Sequence, residues 1–406
     1  MKFRLSKEFP ASKSLLNRAL VVQSFSTTFK IAGESKAGDV QDLRRALEQF
    51  KSGESASAEH YSIAEGGTSF RFLAFRLSRE PGHHVIRVGE RLRSRPQNEM
   101  VDLLRQLGVQ SEWQNFDFHI SGRGWQFSGT PLVSSLERSS QFISGLVLSA
   151  WHLPQKLQIR IPKNQMKSES YWRMTQNLCR RLGMQLEVKE TETDVWLAIP
   201  ASQEVVGRTW TCEPDVSSIF SMAAMASLAG DLTVTNFPLN SLQPDIVFLE
   251  IFNKLGVQYE LAEQRFSLRA QKIRKDLDWD LRNSPDLFPV LAAWASCMGV
   301  NAKLTGADHL IHKESDRIAS TQSLLTLLQV PYRELQGGLE VLGRAWHRPV
   351  FFAPLSFDPQ KDHRLAFAAA CFAITGTSLR LTEPGVINKS FPEFYEWSQW
   401  NPEAGI

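Results

Sequence analysis

The chain has 406 residues, of which 42% are hydrophobic and 22% are charged, and its formal net charge is +3. At about 150 residues per domain this length predicts two or three globular domains, and the small net charge argues against nucleic-acid binding through bulk electrostatics. The N-terminal residues lack the apolar core of a secretory signal, and no stretch approaches the ~18 uncharged apolar residues of a membrane span, so we expect a cytoplasmic protein without membrane contact.

Helix stops recur along the chain at regular spacing. Gly108, Gly183, Gly256 and Gln329 lie 75, 73 and 73 residues apart, each at the end of an amphipathic stretch such as RQLGVQ or NKLGVQ. Glycine directly after a helix favours a left-handed C-cap, so these positions predict the end of a helix followed by a strand. Such periodicity is typical of a fold built from repeated α/β units.

Six segments that begin with Ser, Thr or Asp run into stretches of small apolar residues. A helix that is apolar nearly all round belongs in a core, so these segments predict six buried helices, three in each of two domains. Short alternating segments between them, HHVIRV, KLQIRI and DLTVTNF, predict strands. The predicted helices start at Ser14, Thr68, Ser140, Ser217, Asp286 and Asp362.

Lysines and arginines stand beside these helix starts. The free N–H groups and the dipole at a helix start favour anions, and Ser, Thr or Asp there is also an ordinary N-cap. Capping does not explain the cations, because the dipole disfavours a cation there unless an anion is bound. Convergence of the starts would therefore create a polyanion site. The polar residues at the starts are Lys13, Ser14, Arg18, Gly66, Gly67, Thr68, Arg71, Ser139, Ser140, Gln141, Asp215, Ser217, Ser218, Asp286, Asp362, His363 and Arg364.

The segments leading into the second helix of each unit add further cations. Arg95 precedes Pro96, a residue suited to a first helical turn. Lys313 and Arg317, four residues apart, share one face of a predicted helix. Lys389 stands two residues before Phe391 in NKSFPEF. Cations recur both at the helix starts and at these positions. Scattered surface charges would not explain this recurrence.

Two carboxylates among these cations, Asp286 and Glu314, are candidates for proton transfer. The chain has no P-loop, no dinucleotide glycine fingerprint after a strand and no HExxH. The four cysteines are far apart and predict buried thiols, with neither a zinc site nor disulfides. The sequence thus predicts anion binding with acid–base catalysis, without a metal or cofactor; a repeat scaffold without chemistry is the alternative.

Nine motifs together resemble the EPSP synthase (3-phosphoshikimate 1-carboxyvinyltransferase) family over essentially the whole chain. They are ASKSLLNRAL, EGGTSFR, GERLRSRP, RSSQFISGL, EPDVSSIFSMAA, SPDLFPVLA, HKESDRI, DHRLAFA and NKSFPEF, in the family's order. The resemblance implies an α/β (α+β) fold of two domains, each of three βαβαββ-type repeats with pseudo-threefold symmetry and with the active site in the cleft between them. The implied domains are 12–212, and 1–11 with 213–406.

The resemblance also implies which residues bind which substrate. Phosphoenolpyruvate would be bound by Lys13, Gly67, Arg95, Gln141, Arg317, Arg364 and Lys389. Shikimate 3-phosphate would be bound by Ser14, Arg18, Ser139, Ser140, Ser168, Tyr171, Asp286, His309 and Lys313. The catalytic residues would be Lys13, Asp286, Lys313 and Glu314.

The implied reaction is an addition followed by an elimination. The 5-hydroxyl of shikimate 3-phosphate attacks C2 of phosphoenolpyruvate while C3 is protonated, and the tetrahedral intermediate then loses phosphate. Glu314 or Lys13 would deliver and remove the C3 proton, and Asp286 or Lys313 would be the base at the hydroxyl. We expect a monomer whose partners are these two small molecules.

Four positions depart from the pattern that the resemblance implies. Glu65 stands where the family usually has Asn, which brings a carboxylate into a phosphate-binding loop, where it would either pair with a nearby arginine or weaken binding. His309 replaces a usual Asn, Ala11 a usual Gly, and Ser94 a usual acidic residue. We expect a divergent but intact member.

Two other functions compete with this interpretation. One is the sister reaction on UDP-N-acetylglucosamine, whose enzymes typically carry a Cys in the loop corresponding to Arg91–Arg95, where this chain has none. The other is a non-catalytic phosphometabolite-binding protein on the same scaffold. Such a protein would be expected to have lost Asp286, Glu314 or Lys389, and all three are present.

Overall fold

A computed structural model describes residues 3–52, 59–166 and 169–405. Contacts within the chain divide it into two compact units, Met1–Pro10 with Glu213–Ile406, and Ala11–Cys212. The described strands are β1 (Phe3–Lys7), β2 (Lys30–Ala32), β3 (Glu59–Ile63), β4 (Pro81–Val88), β5 (Gln110–Gln114), β6 (Asp117–Arg123), β7 (Leu132–Val133), β8 (Leu157–Pro162), β9 (Glu187–Glu190), β10 (Asp194–Ile199), β11 (Thr209–Thr211), β12 (Gly230–Val234), β13 (Glu260–Ala262), β14 (Arg265–Arg269), β15 (Leu277–Asp280), β16 (Asn301–Thr305), β17 (Tyr332–Leu335), β18 (Gly338–Leu342), β19 (Leu355–Phe357) and β20 (Leu379–Leu381).

Helices separate these strands along most of the described chain. The α-helices are α1 (Lys13–Gln23), α2 (Gly38–Ser52), α3 (Gly67–Leu77), α4 (Glu90–Ser94), α5 (Asn98–Gln106), α6 (Gln141–Leu148), α7 (Glu169–Arg181), α8 (Val216–Ala229), α9 (Phe248–Leu255), α10 (Phe288–Met298), α11 (Arg317–Leu327), α12 (His363–Ile374) and α13 (Phe394–Ser398). Short 3-10 turns lie at Lys163–Gln165, Pro244–Val247, Pro285–Leu287, Asp308–His312, Gly343–Ala345 and Pro384–Lys389. No described helix combines the length and apolar character needed to cross a membrane.

One sheet topology occurs twice in each unit. The first two strands pair in parallel, and the second pairs antiparallel with the last strand of a following hairpin. The sheets are β3-β4-β6-β5 and β7-β8-β10-β9 in one unit, and β1-β12-β14-β13 and β15-β16-β18-β17 in the other. Parallel strands need a crossover connection, which the intervening helices provide. The predicted α/β class is confirmed.

Two of the six repeats are shorter than expected. The pairs β2 with β11 and β19 with β20 are parallel and form two-stranded sheets. In the described residues neither pair continues into a hairpin.

The predicted apolar helices form the two cores. In one unit α1, α3 and α6 pack against one another, and in the other α8, α10 and α12 do so. Each begins within two residues of the position expected from the sequence. In α10 every side chain of 288–296 is buried, as expected for a helix apolar on all sides. Burial of each large apolar side chain stabilises its unit by about 1.5–3 kcal/mol.

The regularly spaced helix stops are confirmed as left-handed positions. Gly108, Gly183 and Gly256 have φ angles of 71°, 103° and 77°, and Gln329 has a φ of 54°. Glycine adopts this conformation without cost, whereas an L-residue pays roughly 1–2 kcal/mol because its Cβ crowds the following carbonyl. The fourth stop therefore keeps the geometry of the other three at the expense of strain at Gln329.

Replacing Gln329 with glycine should raise the free energy of unfolding by about 0.5–1 kcal/mol, because relief of strain exceeds the added entropy of the unfolded chain. Urea denaturation followed by circular dichroism measures the change. The matched control is Gln322→Gly in the interior of α11, which should lower stability by about 1 kcal/mol. A loss of stability in both variants would contradict strain at Gln329.

Candidate active site

A buried arginine, Arg317, lies at the centre of the site in the unit containing Glu213–Ile406, and its side chain is 2% exposed. Its Nε donates to Oδ2 of Asp362 at 2.7 Å and its Nη1 to Oδ1 of Asp286 at 2.6 Å. Its Nη2 donates to Oε2 of Glu314 at 2.9 Å. A buried charge is tolerated when it is paired and hydrogen-bonded, and the three carboxylates meet that requirement.

Arg364 joins the starts of the three core helices in this unit. Its Nη2 donates to Oδ2 of Asp286 at 2.7 Å and to Oγ of Ser217 at 3.2 Å. Ser217 lies in the first turn of α8, and Asp286 lies in the 3-10 turn before α10. Asp362 is the N-cap of α12 and accepts from the backbone N–H of Arg364 at 3.0 Å. The predicted convergence of helix starts therefore holds within this unit.

The surroundings keep Asp286 and Arg317 charged. Burial raises the pKa of Asp286, but the attraction of Arg364, Arg317 and Lys313 outweighs burial and holds this pKa well below its usual range. Burial likewise lowers the pKa of Arg317, and the nearby carboxylates, above all Asp362, outweigh burial and raise it above its usual value. Asp286 is thus a stable acceptor of hydrogen bonds at neutral pH.

The remaining predicted residues of this unit lie in short segments. Lys313 follows the 3-10 turn that contains His309, and it is close enough to Asp286 to stabilise the carboxylate form. Lys389 ends the 3-10 turn Pro384–Lys389, which packs against α12.

In the unit Ala11–Cys212, Lys13 lies next to the loop that begins α3. Its Nζ donates to Oδ2 of Asp39 at 2.9 Å, and both side chains are largely buried. A Cβ added to Gly66 would lie 2.9 Å from Oδ1 of Asp39. Asp39 therefore links the first residue of α1 to the glycines at the start of α3.

Gly67 allows an arginine to lie directly on the backbone where α3 begins. A Cβ added to Gly67 would lie 2.5 Å from Nη1 of Arg95, closer than real Cβ atoms come to their neighbours. Arg95 follows α4 with an extended backbone. The resemblance implies that phosphoenolpyruvate binds at Gly67, which stays a prediction; in the structure the guanidinium of Arg95 lies against this glycine.

Arg71 fixes the orientation of the predicted ligand Gln141. Its Nη1 donates to Oε1 of Gln141 at 2.6 Å, its Nε to Oε1 of Gln97 at 3.0 Å, and its Nη2 to the carbonyl of Pro96 at 3.1 Å. Gln141 in turn donates through Nε2 to Oγ1 of Thr68 at 2.8 Å. The start of α3 is thus tied both to the start of α6 and to the segment after α4.

Arg18 lies inside the packing of α1 against α7 and is 2% exposed. Its Nε donates to Oγ1 of Thr175 at 2.8 Å, and its other nitrogens donate to the carbonyls of Ser14 and Tyr171 at 2.8 and 3.4 Å. Burial lowers the pKa of Arg18 to about 10. Ser14, Arg18 and Tyr171, which are predicted to bind shikimate 3-phosphate, are therefore neighbours. Most N–H groups of Arg18 donate to other parts of the protein.

The serines before α6 complete this side of the site. Oγ of Ser139 accepts from the backbone N–H of Gln141 at 3.2 Å. Ser140 is the N-cap of α6 and is buried. Ser168 lies outside the described residues, so its binding role stays a prediction.

Carboxylates of the chain itself compensate the cations at the helix starts. Lys13 is paired with Asp39, and Arg364 is paired with Asp286. The sequence argument that a cation there requires an external anion does not hold at these positions, because an internal carboxylate offsets the helix dipole equally well. The sequence did not indicate a role for Asp39, because Asp39 lies 26 residues from its partner Lys13.

The carboxylate of Glu65 binds a backbone amide in place of an arginine. Its Oε2 accepts from the N–H of Leu92 at 2.9 Å, in the first turn of α4. The sequence suggested that Glu65 would either pair with a nearby arginine or weaken binding. The described residues do not show the pairing with an arginine.

The family model described as EPSP synthase (3-phosphoshikimate 1-carboxyvinyltransferase) matches residues 8–397. The chain belongs to the EPSP synthase family. Relatives named 3-phosphoshikimate 1-carboxyvinyltransferase, from Syntrophobacter fumaroxidans and Mycobacterium ulcerans, are 29% and 25% identical to it. The matches cover 95% and 96% of this chain and 94% and 93% of those relatives.

Solved structures share the fold of this EPSP synthase family member. The EPSP synthase of Acinetobacter baumannii matches with a TM-score of 0.70 and 19% identity, over 98% of this chain and 95% of that one. The enolpyruvyl transferase NikO of Streptomyces tendae matches with a TM-score of 0.67 and 13% identity, over 98% and 94% of the two chains.

The described part of this EPSP synthase family member contains no group of three His, Cys, Asp or Glu side chains arranged to hold a metal ion. The carboxylates of the cluster bind arginines. The four cysteines are free thiols, and burial raises the pKa of Cys179 and of Cys297 to about 12. The thiols of Cys179 and Cys297 are therefore protonated and unreactive at neutral pH.

Proposed function

We propose that the chain transfers the enolpyruvyl group of phosphoenolpyruvate to the 5-hydroxyl of shikimate 3-phosphate and releases phosphate, a step of the shikimate pathway. The family match over residues 8–397 carries this proposal. It is supported by relatives that are named for this reaction and match nearly their whole length. The cluster around Arg317 adds the arginines and carboxylates that anion binding and proton transfer require.

The proposal assigns phosphoenolpyruvate to residues of both units. Arg95 and Gln141 lie beside the start of α3 in one unit, and Arg317 and Arg364 surround Asp286 in the other. Arginine suits this substrate because its planar fork matches carboxylate and phosphate oxygens.

Three cations and three carboxylates balance one another in the cluster around Arg317. The set is Arg317, Arg364, Lys313, Asp286, Glu314 and Asp362. An anionic substrate would add negative charge beside these carboxylates. We assign proton delivery to C3 of phosphoenolpyruvate to Glu314, since this carboxylate has one oxygen on Arg317 and is partly exposed.

Asp286 is better suited to orient the 5-hydroxyl than to take its proton. A carboxylate whose pKa is held far below neutrality is a weak base, although it remains a strong hydrogen-bond acceptor. In this proposal Asp286 aligns the hydroxyl with C2, and the arginines stabilise the charge that develops in the intermediate. Lys313, beside Asp286, is the remaining candidate base.

A phosphate-release assay tests the proposed function. Purified protein is given phosphoenolpyruvate with either shikimate 3-phosphate or UDP-N-acetylglucosamine, and we expect release with the first acceptor alone. Release with UDP-N-acetylglucosamine alone would show that the protein catalyses the sister reaction instead. Release with neither acceptor would favour a binding protein without catalysis.

Replacing Gly67 with alanine should raise the KM for phosphoenolpyruvate about tenfold, the expected effect of weakening one charged hydrogen bond. The new methyl group would displace the guanidinium of Arg95. Alanine is a good helix former, so α3 should stay intact. Initial rates at varied phosphoenolpyruvate and saturating shikimate 3-phosphate measure the change.

The control for this substitution is a double-mutant cycle. In an Arg95→Met background, Gly67→Ala should add less than about twofold to the KM, because the side chain that it displaces is gone. Full additivity of the two substitutions would show that Gly67 acts on the substrate by another route.

We further propose that the protein acts as a cytoplasmic monomer whose only partners in the reaction are these two small molecules. The domain boundaries expected from the sequence, at residues 11 and 212, also stay predictions. Sedimentation velocity at micromolar concentration tests the oligomeric state, and a dimer would contradict it.

A further inference from the structure

The short helix α4 carries Arg95 at its end, and no side chain of its own caps its first turn. It has five residues, and its N-cap, Gly89, has no side chain with which to cap the first turn. Isolated helices of this length are not stable, because few internal hydrogen bonds offset the cost of nucleation. The position of Arg95 therefore depends on contacts that reach α4 from outside.

Glu65 supplies the missing cap from another segment. Its Oε2 accepts from the N–H of Leu92 at 2.9 Å, and Leu92 is the third residue of α4. This is the N–H that an N-cap side chain ordinarily binds. The carboxylate passes closely over Gly89, where Oε1 of Glu65 leaves no room for a Cβ. The backbone N–H of Gly89 also donates to the carbonyl of Ala64 at 2.7 Å.

The same loop holds the surface on which Arg95 rests. Glu65 directly precedes Gly66 and Gly67, and the guanidinium of Arg95 lies against Gly67. Arg71 holds the far side of the segment through the carbonyl of Pro96. Glu65 and Arg71 thus fix the two ends of the stretch that presents Arg95.

We propose that Glu65 is a positioning residue for phosphoenolpyruvate binding, which caps α4 and thereby holds Arg95 over Gly67. This inference rests on the proposed function and names a residue that acts through Arg95. The carboxylate is directed at a backbone N–H at the positive end of α4, so its charge is partly offset there. Glu65 then supports anion binding by positioning Arg95, although the negative charge of its carboxylate alone would repel an anion.

Steady-state kinetics of four proteins test the proposal: the wild type, Glu65→Ala, Glu65→Gln and Glu90→Ala. Glu65→Ala should raise the KM for phosphoenolpyruvate about tenfold, which corresponds to about 1.4 kcal/mol, and leave kcat and the KM for shikimate 3-phosphate within about threefold. Glu65→Gln should remain within about threefold of the wild type, because its amide oxygen accepts the same hydrogen bond. Glu90→Ala removes an exposed charge from the same helix and should change nothing.

Hydrogen exchange of the segment 90–96 provides a second measurement that does not depend on turnover. Exchange should be faster in Glu65→Ala than in the wild type and Glu90→Ala. An unchanged or lowered KM in Glu65→Ala would overturn the proposal, as would a Glu65→Gln variant as impaired as Glu65→Ala. If the wild type itself releases no phosphate, the proposed function fails and this inference fails with it; if the wild type is active, these outcomes concern Glu65 alone.

Discussion

Replacing Arg317 with methionine should lower the free energy of unfolding by about 3–5 kcal/mol, because removing one partner of a buried ion pair leaves uncompensated charge. Methionine fills a similar length but cannot donate to Asp286, Glu314 or Asp362. Asp362 is fully buried, so it has no water to replace the lost partner. Urea denaturation monitored by tryptophan fluorescence measures the loss.

Arg333→Met is the matched control for this prediction. Arg333 pairs with Glu340 between the antiparallel strands β17 and β18, and its side chain is 68% exposed. An exposed pair contributes about 0–1 kcal/mol, so this variant should unfold almost like the wild type. Adding Asp362→Asn to Arg317→Met should restore part of the lost stability, since it removes one of the orphaned charges. Equal effects of Arg317→Met and Arg333→Met would contradict the central role of Arg317.

Replacing Lys13 with methionine should reduce kcat by about 10²–10⁴-fold, the range expected for loss of a group that transfers a proton or stabilises charge in the transition state. The ammonium of Lys13 lies beside the glycines at the start of α3, where we propose that phosphoenolpyruvate binds. Methionine preserves the length and apolar stem of the side chain. Single-turnover phosphate release measures the chemical step, and thermal unfolding checks that the fold is intact.

Lys30→Met makes the same chemical change at an exposed position of β2 in the same unit. It should leave kcat within about twofold of the wild type, because a solvated surface charge contributes little to a distant site. A Lys13→Met variant with near-normal kcat would remove Lys13 from the catalytic residues. A large loss in both variants would indicate a general electrostatic effect.

Features that depend on local sequence could be predicted well. The core helices follow from apolar residues on all faces, as in α10, and the ends of the amphipathic helices follow from the left-handed preference of residues such as Gly256 after α9. These preferences act over a few residues, so one sequence is sufficient to recognise them. The two-stranded sheets of the described residues were not foreseen, because the sequence near β2 and β19 does not show how many strands pair there.

The partners of the site side chains could not be predicted, because they join distant segments. Lys13 pairs with Asp39, and Arg71 with Gln141, only when folding brings these distant segments together. The same is true of Glu65, whose carboxylate reaches the backbone of Leu92. Sequence alone indicated a polyanion site, and the resemblance supplied its two substrates.

The pairing of β1 with β12 affects the order in which the protein can fold during synthesis. β1 pairs in parallel with a strand that ends at Val234, and the N–H of Phe9 donates to the side chain of Asn236. The ribosome must therefore make more than 220 further residues before β1 can find its partner. The unit Ala11–Cys212 is complete by then, and domains generally fold as units while the chain emerges. We expect the N-terminal strand to remain unpaired until the second unit emerges.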